Sequence, residues 1–218
     1  MIYQSLNVKW IALIALIGLA YFVVTTIAMH RLRPDYKPQS RYISEYAIGK
    51  YGPLAASSFV IYGLAILGLY LCLKTVLLVT AKSNTGLTLM AIWGVATVIT
   101  GFFDVDLKDE PMSLHGTVHS IVSEIGVAAS VLGFIFLSRN FAHHESTQSI
   151  AFVTLMIGIG ASILKVLLFF GLLGDLALKY NRHVSGILFT LHKLTGLTER
   201  LLLGISVVGL MIFVKIVL

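Results

Sequence analysis

Trp10 to Met29 reads WIALIALIGLAYFVVTTIAM, an apolar run without a single charged side chain. A helix needs about 20 such residues to cross the hydrocarbon core of a bilayer. We read the run as a first transmembrane span, residues 9–29. No basic segment precedes it and no small-x-small site closes it, so a retained span is expected rather than a cleaved signal peptide. Working outward, comparable runs predict spans over 53–80, 86–103, 114–137, 149–173 and 197–217. Pro53 suits the first turn of the second span, where its missing N–H would be unpaired anyway. Ser113 is a natural N-cap for the fourth.

The whole composition agrees. Of 218 residues, 57% are hydrophobic and 12% are charged, against about 25% charged in soluble domains. A soluble globule and a disordered chain are both excluded. Six crossings take roughly 120 residues and leave no room for a separate soluble unit. The expected fold class is all-α: a polytopic membrane protein in one domain, 1–218, built as a six-helix bundle. Between the last two spans, Ile187, Leu188, Leu191 and Leu194 recur at three- and four-residue spacing beside Arg182, His192 and Lys193, which predicts a short interfacial helix.

The net charge is +6. In such a chain this bears on topology and lipid headgroups. No basic segment interleaved with aromatics is present, so nucleic acid is excluded and membrane lipids are the expected partners. Cys72 is the one cysteine, which rules out an intramolecular disulfide and a cysteine-based zinc motif.

Six spans place both termini on one side, side A. Side B carries loops 1–2, 3–4 and 5–6, and with them every acid except Glu124 and Glu145. Lys and Arg counted alone, Lys108 among them, put side B in the cytoplasm.

The chemistry-bearing residues gather at side B. One cluster is Tyr42-Ile43-Ser44-Glu45-Tyr46 before span 2. Another is Gly101-Phe102-Phe103-Asp104-Val105-Asp106 closing span 3, followed by His115-Gly116-Thr117-Val118-His119. The last is Gly196-Leu197-Thr198-Glu199-Arg200. His115 and His119 are four apart on a helix, so both imidazoles face one way. That spacing, with Asp106 as a third ligand, fits a divalent metal such as zinc. Glu45 or Glu199 would act as general base and Arg200 would grip an anionic headgroup. The competing reading is a hydrogen-bonded polar cap at the first pair and a buried ion-pair network at the second. Glu124 and Lys165 lie about 13 and 12 Å from the side B ends of their spans, so an ion pair inside the bundle is expected. His30, His143, His144, His183 and His192 read as solvated.

These motifs, in this order, resemble a prokaryotic membrane family catalogued as domain of unknown function 998. The resemblance rests on Ser44 and Glu45; on Gly101, Phe103 and Asp106; on His115, Gly116 and His119; and on Gly196, Leu197, Glu199 and Arg200. Asp104 stands where the family usually has proline, Arg41-Tyr42 replaces small polar residues, and Gly49 comes later than the pattern expects. The resemblance implies six spans, a plasma (inner) membrane location and no known activity. It also implies side B outside the cytoplasm, against the Lys/Arg count. A weaker analogy links the cluster to intramembrane hydrolases of the ceramidase and receptor-like superfamily, whose motif order differs.

Three functions follow as expectations. The first is a membrane-embedded hydrolase or transferase acting on a lipid-like or small-molecule substrate through His115, His119, Asp106, Glu45, Glu199 and Arg200. The second is a small-molecule or ion transporter using Glu124 and Lys165. The third is a non-catalytic scaffold or sensor.

Overall fold

The computed structural model describes residues 2–77, 84–107, 110–143, 145–180 and 182–218. The side B residues Lys108 and Asp109, the predicted end of span 2 at 78–80, and His144 lie outside them. The helices are α1 (Ile2–Leu32), α2 (Gly52–Val76), α3 (Asn84–Thr100), α4 (Leu114–Ala142), α5 (Gln148–Lys179), α6 (Gly186–Lys193) and α7 (Thr195–Val217), with a 3-10 turn at Ser44–Ala47. The protein is a helical membrane bundle. Among the described residues five helices are long and apolar enough to cross a bilayer, and α3 is a shorter apolar one. At 17 residues it rises about 26 Å, the low end of what spans a membrane.

The predicted boundaries shift in two directions. Helices run past the hydrocarbon because backbone hydrogen bonds continue where apolarity stops. α4 carries on through Arg139, and α5 through Asp175 to Lys179. The third span instead ends early, at Thr100, where Gly101 turns the chain.

The long helices close into a ring: α1 on α2, α2 on α3, α3 on α4, α4 on α5, α5 on α7, and α7 back on α1 and α2. Lipid is as apolar as leucine, so close packing rather than water exclusion must hold the ring together. Glycine supplies it between α2 and α3. A Cβ on Gly63 would sit 2.6 Å from Val98 N and 2.7 Å from Gly94 O. Across the interior runs a chain of rings. Phe22 stacks on Tyr62 at 4.3 Å, Tyr62 meets Trp93 edge-on at 6.0 Å, Trp93 meets Phe134 at 5.7 Å, and Phe134 meets Phe213 at 5.6 Å. Each ring comes from a different helix, so they join five helices. Outside, Trp10, Ile14 and Ile17 of α1 and Phe152, Ile163 and Val166 of α5 stand exposed, as lipid-facing side chains do.

The predicted interfacial helix is α6. It exposes Ile187 and Phe189, and Lys193 Nζ lies 3.9 Å over the Phe189 ring. Gly171 and Gly174 of α5 let it pack tightly: a Cβ on either would come within 3.0 Å of a backbone oxygen of α6.

Candidate functional site

Side B is assembled from loops docked onto helix ends. At the start of α4, Asp106 Oδ2 accepts from Ser113 N (2.7 Å) and Oδ1 from Ser113 Oγ (2.6 Å). Ser113 Oγ in turn accepts Gly116 N at 3.0 Å, the predicted N-cap. Gly116 has no side chain because a Cβ there would lie 2.0 Å from Asp106 Oδ2. Partial burial opposes ionisation of Asp106, but the two bonds from Ser113, with the nearby Lys179 and His119, together hold its carboxyl below the usual carboxylate range. Asp106 therefore braces Ser113, the N-cap of the helix that carries both histidines.

Replacing it tests this. Asp106→Asn is expected to cost about 1 kcal/mol at neutral pH, the usual worth of a cap. A carboxyl whose folded pKa is depressed stabilises above its unfolded pKa and loses that as pH falls through the folded value. Thermal unfolding of the two proteins should therefore differ at pH 7 and converge below the ordinary carboxylate range.

His115 and His119 both lie against Phe103, but not alike. His115 is exposed, its ring 5.4 Å from the Phe103 ring. His119 is buried, and its Nδ1 is 2.7 Å from Phe103 O. A carbonyl only accepts, so Nδ1 carries the proton and the lone pair of the neutral ring is on Nε2. Among the described residues no three His, Cys, Asp or Glu side chains are grouped to hold a metal ion. The expected trio is not gathered: Asp106 is turned to Ser113, His115 is exposed and His119 is buried, so the three do not converge on one ion.

The second docking joins loop 1–2 to the start of α7. Leu197 N donates to Gln39 O at 2.9 Å, Ile43 N donates to Glu199 Oε2 at 2.6 Å, and Arg200 Nη1 donates to Arg41 O at 2.7 Å and Gly196 O at 2.8 Å. Arg200 also reaches His30 Nε2 (3.0 Å) and the Tyr46 hydroxyl (3.3 Å). Glu45 is fully buried, 3.6 Å from Arg41. Arg200 therefore grips backbone, and His30 is a partner in the fold rather than a solvated ring. Lys165 and Glu124 form the expected direct ion pair.

One arrangement left no mark at local spacing. The Tyr42 hydroxyl donates to Asp175 Oδ2, and Asp175 Oδ1 is 2.7 Å from His192 Nδ1 on α6. Loop 1–2, α5 and α6 meet here. Burial, then the Asp175 carboxylate, push the Tyr42 phenol upward, so it stays protonated and donates. The one sequence cue was Asp175, an acid just past the fifth apolar run; His192, read as solvated, is its partner.

Within the ring, at the side B end, is a cavity of about 190 Å³. That is below the range of about 300–1,000 Å³ that holds drug-sized ligands. Its polar lining includes His119, Ser120, Ser123, Glu124 and Glu199, with Tyr42 and Ser44 from loop 1–2. Phe59, Tyr62 and Trp93 form its aromatic wall. Of the six residues expected to converge, His119 and Glu199 line it. His115, Asp106, Glu45 and Arg200 do not.

The profile of a family described as "Protein of unknown function (DUF998)" matches residues 16–214. The chain belongs to DUF998. No match emerged among curated proteins or among solved structures. In this DUF998 chain each family-like motif now has a physical task. Gly116 and Asp106 close the α4 cap. Gly196, Glu199 and Arg200 seat loop 1–2 on α7, and His119 is the member whose ring reaches the cavity.

Proposed function

We propose that this protein is a membrane-embedded hydrolase or transferase that draws the polar end of a lipid-like substrate into the cavity, with His119 as general base. One observation carries the reading. A buried imidazole, its tautomer set by Phe103 O, stands on the wall of an interior cavity that also presents two carboxylates and several hydroxyls. With Nδ1–H committed to the carbonyl, Nε2 is the atom that takes a proton from water or a hydroxyl attacking the substrate. The Phe103 carbonyl then steadies the imidazolium that forms. Asp106 is a positioning residue for the α4 end. Glu199 and Arg200 position loop 1–2, whose Tyr42 and Ser44 complete the wall. His115, exposed at the rim, takes no part in proton transfer.

A transporter is the weaker reading, because Lys165 rests directly on Glu124 rather than across a water-filled path. Turnover decides between them. The protein is reconstituted in nanodiscs and offered fluorogenic medium-chain esters and chain-labelled glycerolipids and amides. His119→Ala is expected to lower turnover by about 10²–10⁴, His115→Ala to leave it near wild type, and His119→Asn, which can keep the bond to Phe103 O, to fold like wild type yet stay inactive. Equal turnover by wild type and His119→Asn would remove His119 as the base, and none by wild type on any substrate would remove the enzyme reading.

A further inference from the structure

Two polar groups in the cavity have chemistry the proposed reaction does not use. The Tyr62 hydroxyl is buried and has no hydrogen-bond partner among the described residues, although the residue is only 1% exposed and lines the cavity. Buried hydroxyls are rarely left so. Glu124 engages Lys165 through Oε2. Its side chain is nonetheless 44% exposed, against 17% for Lys165, and it lines the same cavity. Tyr62 is ten residues into α2 from Gly52, and Glu124 ten residues into α4 from Leu114. Both therefore stand about 15 Å from the side B helix ends at 1.5 Å per residue. A carboxylate that deep is strongly excluded from lipid, so its open side must meet polar matter inside the bundle.

We infer that the cavity's substrate carries a protonated amine, held by Glu124 and Tyr62 against the aromatic wall. This rests on the reading of the cavity as a substrate site and names the substrate class. An ammonium group donates to the open oxygen of Glu124 and to the Tyr62 hydroxyl oxygen. The faces of Phe59, Tyr62 and Trp93 favour a cation. No Lys or Arg is among the described lining residues, while Glu124 and Glu199 both are. A carboxylate or phosphate head would meet two acids with no Lys or Arg among the described lining residues, and an alcohol could bond Glu124 and Tyr62 but without the ion-pair attraction. The volume admits the amine and a few attached atoms, so the alkyl chain extends beyond the cavity.

The sequence supplies its own reporter. Trp93 lines the cavity, and Trp10, the other tryptophan, is 60% exposed on the outer face. A Trp10→Phe protein in nanodiscs therefore fluoresces from Trp93 alone. Bromine-labelled dodecylamine, dodecanol and dodecanoate are titrated as quenchers, each with its unlabelled form as competitor to separate saturable binding from partition into lipid. The expected result is saturable quenching by the amine at least tenfold tighter than by the alcohol or acid. Glu124→Gln weakens it tenfold or more, and Tyr62→Phe about threefold. Because Glu124→Gln strands Lys165, the double variant Glu124→Gln/Lys165→Met is measured beside it and should show the same loss. Alcohol or acid binding as tightly as amine, or amine affinity unchanged in both Glu124 variants, overturns the amine inference and leaves the cavity as a site. No saturable quenching by any of the three overturns the substrate-site reading along with it.

Discussion

Gly196→Ala is expected to destabilise the protein by on the order of 3 kcal/mol, the upper range for overpacking a filled interior. A Cβ on Gly196 would lie 2.3 Å from Arg41 O and 2.5 Å from Pro38 O. Both obstacles are backbone, so no rotamer change relieves them. To make room, loop 1–2 must lift from α7, and the bonds from Leu197 N to Gln39 O and from Ile43 N to Glu199 stretch with it. Since domains are stable by only about 5–15 kcal/mol, a loss of that size should show as a drop of many degrees in thermal unfolding in detergent and as poor recovery from membranes. The same helix supplies the control. Gly204 has nothing within 4 Å of its would-be Cβ, so Gly204→Ala should be neutral or slightly stabilising through helix propensity. Equal behaviour of the two variants would mean that loop 1–2 is not clamped as described.

Arg200→Met should cost a similar amount, about 3 kcal/mol, for a different reason. The guanidinium satisfies Arg41 O, Gly196 O, His30 Nε2 and the Tyr46 hydroxyl at once. Methionine keeps the volume and strands those acceptors, and each bond to a charged donor is worth about 1.5–3 kcal/mol, with strong non-additivity. Arg200→Lys should recover less than half of the loss, because one ammonium cannot span the fork. The discriminating measurement is stability set against binding in the Trp93 assay. If Arg200 positions loop 1–2, both variants unfold at lower temperature while the folded fraction still discriminates amine from acid. If Arg200 instead grips an anionic headgroup, stability holds and dodecanoate binding is what disappears.

The apolar runs made the bundle legible before any coordinates, since a bilayer imposes a length and a composition that few other structures meet. Helix ends were less legible because Arg139, Asp175 and Lys179 are polar yet still helical. Residue types mark hydrocarbon, not hydrogen bonding. The side B cluster was half legible. Matched depth paired Glu124 with Lys165, which do form an ion pair, whereas four-residue spacing did not tell that His115 is exposed and His119 buried. Spacing also says nothing about which backbone atoms a side chain will satisfy. Asp106, Glu199 and Arg200 look reactive in a list of residues, yet each bonds the N–H or C=O groups of a neighbouring loop. Conversely, Tyr62 looks like one more aromatic of a greasy helix, and only the packing around it reveals an unanswered hydroxyl.

Cys72 is 1% exposed, with its thiol 3.5 Å from Val8 O at the interface of α1 and α2. The natural chain is thereby silent toward membrane-impermeant maleimides. A single cysteine introduced at the exposed Glu110 or Glu145, on opposite ends of the bundle, can be labelled in whole cells or inverted vesicles without first building a cysteine-free background. Sidedness of the cavity, on which the Lys/Arg count and the family pattern disagree, thus comes down to which of two tags reacts.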